Sequence, residues 1–371
     1  MKIFFTWMAT LFLFLLTTPA APASPGPAEP RRGLFITVLQ DPQVLSSREA
    51  IDKLIGFAKK ARIQTLFFQI YRANKAWFPS KIGDSKPYED CLKEVGEDPF
   101  ALLIRRAHDE GIEVHAWLNL LSLSKNLDAP LLKKYGPDIL TRNRREKKKI
   151  EDYKIDNQYF LEPGDPRIRQ DLTALVGEIL TAYPALDGIQ FDYIRYPDQH
   201  PPYGYTEANL SRFKEATGLT EVEEDSPSWK KWKRDQVTSL LELLAQTSRK
   251  LHPGIQVSAT GCMSYSRAYH EAFQDWASWL TSGIVDFVTM MSYSSHTSTL
   301  GKYILDAKKH TGSLERVNIG IGAYELVRRP ETFLQQLEVC EKAQGRACAV
   351  FHYESTLDNP RLADALIRKR S

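Results

Sequence analysis

Gln256-Val-Ser-Ala-Thr-Gly-Cys262, Asp286-Phe-Val-Thr-Met-Met-Ser-Tyr293, Val317-Asn-Ile-Gly-Ile-Gly-Ala-Tyr324 and Arg346-Ala-Cys-Ala-Val-Phe-His-Tyr-Glu354 are four short apolar runs starting 30, 31 and 29 residues apart. Each is short enough to be a strand, and the spacing leaves room for one helix between neighbours, the length of a single strand-helix unit. Working back towards the amino terminus, similar runs occupy residues 33–40, 64–71, 112–121 and 187–196. Amphipathic helical patterns alternate with the eight runs over 48–61, 99–110, 168–183, 230–251, 271–281, 301–310, 331–343 and 361–369. An open doubly wound sheet rarely extends to eight units, and no Gly-rich phosphate turn follows the first run. The α/β pattern predicts one (β/α)8 TIM barrel over residues 32–371. Loops after strands two, three and four, at 72–98, 122–167 and 197–229, make it longer than the ~250 residues typical of the fold.

Composition narrows the function classes. The chain has 371 residues, 43% hydrophobic and 26% charged, with a formal charge of only +3, which gives no reason to expect a nucleic-acid partner. Four cysteines without a C-x-x-C pair permit one disulfide of unassigned pairing and argue against zinc. The eight histidines are scattered with no His-x-His, and the first strand has none, so no metal or other cofactor is expected. Asp84, Glu89 and Asp90 leave loop calcium open. Residues 1–23 pair Met1-Lys2 with an apolar run and the small residues Ala21-Pro22-Ala23, the pattern of a secretory signal peptide, followed by a Pro-rich linker at 24–31. A secreted or periplasmic location is therefore expected. The apolar run is shorter than the ~20 residues of a membrane span, and no later stretch approaches that length.

In a barrel, residues at the carboxyl ends of strands face the site, so polar groups there carry functional weight. Strand four reads Asp187-Gly-Ile-Gln-Phe-Asp192-Tyr-Ile-Arg195-Tyr196-Pro197, and alternation places Asp192 at the mouth beside Arg195 and Tyr196. Strand two contributes Gln69 and Tyr71, and strand three contributes His115, Trp117 and Asn119 on one face. Strand six ends at Tyr293, and strand eight brings His352. These groups are expected to position sugar hydroxyls. Glycoside hydrolysis needs a second carboxyl group, and Glu325 or Glu354 is the partner expected for Asp192. Trp77, Phe78, Tyr88, Tyr135, Tyr203 and Tyr205 in the long loops are expected to wall a groove.

The stretches Leu66-Phe-Phe-Gln69-Ile-Tyr71, Gly111-Ile-Glu-Val-His115-Ala-Trp117-Leu-Asn119, Leu161-Glu162-Pro-Gly-Asp165-Pro166 and 187–197 resemble, in order and spacing, the bacterial glycosyl-hydrolase-like family 10. The resemblance implies an envelope or secreted (β/α)8 glycosidase acting on cell-wall or other bacterial glycans. Gln69, His115, Asn119, Asp192 and Tyr196 occupy the family's patterned positions, while strands five and six depart from them. Strands four and six also resemble family 18 chitinases faintly, but Ile194 stands where those enzymes carry their catalytic Glu.

The run Arg142-Asn-Arg144-Arg145-Glu-Lys147-Lys148-Lys149 lies in the third loop, where it is either a solvated tip or a contact for an anionic envelope polymer. The expected function is cleavage of O-glycosidic bonds in a polysaccharide of the cell wall or of N-acetylated amino sugars, by two carboxyl groups. A barrel that binds glycans without cutting them is the alternative.

Overall fold

The computed structural model describes residues 31–198 and 202–368. The expected signal peptide, nearly all of the linker and the end of the last helical pattern lie outside the described residues. Eight parallel strands form a closed barrel: β1 (Arg31–Ile36), β2 (Thr65–Arg72), β3 (Glu113–Asn119), β4 (Gly188–Asp192), β5 (Gln256–Cys262), β6 (Phe287–Met291), β7 (Val317–Gly322) and β8 (Ala347–Phe351). Closure comes from β1, which pairs with both β2 and β8. The helices between and after the strands are α1 (Arg48–Lys60), α2 (Pro99–Asp109), α3 (Pro166–Ala182), α4 (Pro227–Leu251), α5 (Trp276–Thr281), α6 (Thr297–Thr311), α7 (Pro330–Lys342) and α8 (Pro360–Ile367).

Local chemistry explains the helix starts. Ser47, Asp98, Asp165, Ser226 and Asn359 each accept a hydrogen bond from a backbone N–H of the following turn, and all but the first are followed by Pro, whose missing N–H costs nothing there. The helix expected over 271–281 is shorter than its pattern. Asp275 caps α5 at Ser278 N, and Phe273 adopts a positive φ of 56°. The Gln274 side chain meanwhile binds Cys262 N and the Thr260 and Ile194 carbonyls, so this segment serves the end of β5 instead of coiling.

Two apolar layers hold the barrel. Outward-facing strand residues pack against the helices in one large cluster, while Phe35, Phe67, Trp117, Phe287 and Ala349, with Phe351 against them, fill the inside. Gly188 belongs to this inner layer because a Cβ there would lie 2.2 Å from the His115 ring. A disulfide joins Cys340 of α7 to Cys348 of β8, the pairing that the sequence left open. No helix among the described residues is long and apolar enough to cross a membrane.

The three long loops fold as small structures. After β2 come the strand Lys75–Ala76 and the helix Lys86–Val95; after β3, the paired strands Ser122–Ser124 and Tyr159–Phe160; after β4, the helix Glu207–Thr217. Insertions of this size need cores of their own. For that reason Trp77, Phe78, Tyr203 and Tyr205 are buried inside the loops instead of walling an open groove. Tyr88 is tied to Asp98, and Tyr135 lies under Lys134 and Arg167.

Candidate active site

Asp192 is the last residue of β4, is 5% exposed, and has donors on both oxygens. Trp117 Nε1 donates to Oδ2 at 3.0 Å; Thr260 Oγ1 donates to Oδ1 at 2.5 Å, and the Tyr193 N–H donates to Oδ1 at 2.7 Å. The Arg195 guanidinium lies 3.9 Å from Oδ1. Every one of these contacts is a donor or a cation, an arrangement that suits a carboxylate held in one orientation, as a nucleophile or base requires. Hydrogen bonds to a charged group contribute about 1.5–3 kcal/mol each.

Tyr193 shows what this orientation costs. Its φ is 52°, in the left-handed region, where a non-glycine residue costs on the order of 1–3 kcal/mol. The conformation aims its N–H at Asp192, and the ring is clamped between Arg195, 4.4 Å from its centroid, and Phe160 at 6.3 Å.

Around this carboxylate the strand ends supply both polar and aromatic groups. Asn119 is in register with Asp192, and its Oδ1 accepts from Gln69 Nε2 at 3.0 Å, while Gln69 Oε1 accepts from Val38 N. Gln69 thereby sets the orientation of Asn119. Tyr293 stacks on Phe351 with centroids 5.0 Å apart, and Tyr324 meets both rings edge-on. Burial pushes the Tyr293 phenol well above its ordinary pKa, and the Asp192 charge adds to the effect. His352 lies parallel to the half-exposed Tyr324 at 6.4 Å, and burial lowers its pKa.

The two expected partner carboxyls both lie on this rim. Glu325, in the turn Ala323–Leu326 after β7, is exposed and accepts a hydrogen bond from Tyr324 OH at 3.2 Å. Glu354 is half-buried, with Oε2 3.9 Å from His352 Nδ1. Asp198 also reaches this side of the barrel, where it pairs with Arg267.

Three expected site residues are placed away from the mouth. His115 sits deeper in the barrel, in register with Phe67 and Gly188, packed on the Phe67 and Phe287 rings, with neither ring nitrogen hydrogen-bonded. Burial, helped by the charges of Arg346 and Arg31, drops its pKa to about 3. Tyr71 follows a shift of register between Gln69 and Tyr71 that turns it outward, where its fully buried hydroxyl accepts from Asn74 and faces Asp171 and Glu178 of α3. Tyr196 is also fully buried; its hydroxyl donates to Glu162, which accepts from Thr141 as well. This pair locks the third loop to the fourth. Burial raises Glu162, and the same pocket lowers Lys233 to about 7.

Thr260 and Tyr193 complete the surroundings of Asp192 and were not among the expected residues. Thr260 was legible in principle, because 258, 260 and 262 share one face of β5. The positive φ of Tyr193 and the register shift between Gln69 and Tyr71 have no sequence signal.

The remaining expectations also have a place in the structure. In the basic run, Arg142 and Arg144 donate to the Tyr205 and Val222 carbonyls, whereas Arg145, Lys148 and Lys149 keep exposed side chains. Lys86 intervenes among the acids considered for calcium: its backbone binds Asp84 and its ammonium binds Asp90. Among the described residues no group of three or more His, Cys, Asp or Glu side chains is placed to hold a metal ion.

Comparison with known proteins shows the family and the fold. The family model described as glycosyl hydrolase-like 10 matches residues 30–327. Glycosyl hydrolase DigH of Escherichia coli K12 is 26% identical over 303 residues, covering 74% of this chain and 65% of its own length. Glycosyl hydrolase YngK of Bacillus subtilis is 24% identical over 269 residues, covering 68% of this chain and 50% of its own. The chain thus spans half to two thirds of these relatives. Among solved structures, the α-L-fucosidase isoenzyme 2 of Paenibacillus thiaminolyticus superposes with a TM-score of 0.62 at 13% identity, over 91% of this chain and 48% of that one. That likeness is one of fold.

Proposed function

The chain belongs to the glycosyl hydrolase-like 10 family, and from this premise we propose that it is an exported glycoside hydrolase cleaving a polysaccharide of the bacterial cell wall or of N-acetylated amino sugars. The observation that carries the reading is Asp192, held by three donors at the carboxyl end of β4, with the rings of Tyr293, Phe351 and Tyr324 packed together after the ends of β6, β7 and β8. Flat rings beside a fixed carboxylate suit a pyranose whose C–H face lies on the aromatic surface. Asp192 acts on the anomeric centre as nucleophile or base, and Glu325 protonates the departing oxygen. Glu354 is the alternative acid on the same rim. Export rests on the sequence of residues 1–23 and is supported by the Cys340–Cys348 disulfide, since such bonds persist in oxidising compartments. Arg145, Lys148 and Lys149 offer an exposed cationic edge for an anionic polymer.

Reducing-end release from chitin-type, peptidoglycan-derived and plant glycans tests the proposal, with the protein compared to Asp192→Asn, Glu325→Gln and Glu354→Gln. The expected result is hydrolysis of at least one bacterial glycan, a fall of about 10²-fold or more in Asp192→Asn, and a comparable fall in only one of the two Glu variants. Binding without release by the parent protein refutes hydrolysis and leaves a glycan-binding barrel.

A further inference from the structure

Amide side chains carry a donor at one end and an acceptor at the other, so a string of them has a direction, and in this barrel the backbone sets it. Val38, two residues past β1, donates its N–H to Gln69 Oε1 at 3.2 Å. A backbone N–H can only donate, which leaves Nε2 as the outgoing end of Gln69. That nitrogen donates to Asn119 Oδ1 at 3.0 Å. Gln69 is 1% exposed, so it lies beneath the surface of the site and acts through Asn119.

The same rule passes to Asn119. Its Oδ1 is spent on Gln69, and turning the amide over would set two N–H donors against each other, forfeiting the bond and leaving both unpaired. Asn119 ends β3 in register with Asp192, one strand away at ~4.8 Å. Although Asn119 is buried as a residue, its Nδ2 makes no hydrogen bond among the described residues and is not sealed from solvent, as the unpartnered Gln190 Nε2 is. The free end of the relay is therefore an N–H pair level with Asp192.

These two neighbours are opposite in sense. Asp192 as a carboxylate can only accept, and Asn119 is held so that it can only donate. A sugar lying across them meets one acceptor and one donor in fixed places.

We propose that Gln69 is a positioning residue that fixes Asn119 as a hydrogen-bond donor to an acceptor oxygen of the sugar held at Asp192; this deepens the glycoside-hydrolase reading and rests on it. A ring hydroxyl and the carbonyl of an acetamido substituent both present this chemistry, and they are separable by experiment.

Calorimetric titration with a chitin-type oligosaccharide and with its glucose counterpart, which differ in acetamido against hydroxyl at carbon 2, reads the relay without requiring turnover. Gln69→Glu keeps the shape and the bond from the Val38 N–H but replaces the outgoing donor by an oxygen, so Asn119 turns over and presents Oδ1 to the sugar. The expected result is binding weakened about 10-fold at pH 7 and restored towards the parent at pH 4.5. Restoration follows because the new carboxyl, its pKa raised by burial, regains a proton and donates to Asn119 again. The parent, with the same Asp192 and Arg195, is the reference at each pH. A loss confined to the chitin-type probe assigns the acceptor to the acetamido carbonyl, and a loss on the glucose probe assigns it to a hydroxyl. Asn119→Asp, at the open end of the relay, also presents an oxygen at pH 7 and keeps the test available if Gln69→Glu does not fold. No binding of either probe by the parent, unchanged binding in both variants, or a loss in Gln69→Glu that persists at pH 4.5 overturns the relay, the last because a packing fault does not titrate. Weakened, acid-restored binding without hydrolysis by the parent refutes the proposed activity alone, and hydrolysis with binding indifferent to both variants refutes the relay alone.

Discussion

His115 offers a quantitative test of which residues lie under the site and which lie within it. Its imidazole is fully buried among Phe67 and Phe287 with no hydrogen-bond partner, and its pKa falls to about 3 in the folded protein. In the unfolded chain the ordinary value of ~6.5 applies. Because the folded pKa is depressed, the unfolded state binds the proton more readily below pH 6.5. Stability present above that pH is therefore lost as pH falls towards 3. Each unit corresponds to ~1.36 kcal/mol, so His115 alone removes roughly 3 kcal/mol between pH 7 and 4.5, and roughly 5 kcal/mol once it is protonated in both states. The perturbation is His115→Met, which keeps a similar volume and titrates nothing. Urea unfolding of parent and variant at pH 7.0 and 4.5 isolates the term, because the other titrating groups cancel in the double difference. The parent is expected to lose roughly 3 kcal/mol more than the variant over that interval. A double difference below about 0.5 kcal/mol, or an NMR titration placing His115 near 6.5, would falsify the placement. A residue at the barrel mouth, in contact with water and sugar, would titrate near the ordinary value.

Two further outcomes follow from the geometry. Thr260→Val removes the shortest donor to Asp192 while preserving shape, leaving the Trp117 and Tyr193 bonds. It is expected to lower kcat on any cleaved glycan by about 10-fold with KM little changed, since loss of a hydrogen bond to a charged group costs about 1.5–3 kcal/mol; an unaltered kcat contradicts the role given to Asp192. Cys340→Ser with Cys348→Ser opens a short loop between α7 and β8 and is expected to cost roughly 2–3 kcal/mol in urea unfolding, with the parent falling to the same stability in reductant. A parent insensitive to reductant contradicts the bond.

The eight strands and their order were legible because a barrel strand is bounded by periodicity and spacing, which are local properties of the chain. The position of Asp192 at the mouth followed from alternation along β4. Depth and facing were not legible in the same way. His115 and Trp117 share one face of β3, but only Trp117 is high enough in the barrel to donate to Asp192, whereas His115 is one layer below, opposite Gly188. Tyr71 followed the same alternation as Gln69 until the register shift reversed it. The aromatic residues of the long loops had the composition of a sugar groove, yet the loops spend them on their own cores.

By itself the sequence determined the repeating strand-helix unit, the family and the carboxylate at the end of strand four, because each depends on residues close together along the chain. Only the tertiary structure decided which side chains meet that carboxylate, how deep each inward residue lies, which cysteines pair, and that Arg195 lies beside Asp192 without a hydrogen bond to it. Those facts depend on strand stagger, one register shift and one left-handed residue, which are settled by packing across a closed barrel between positions as far apart in the chain as 117, 192 and 260.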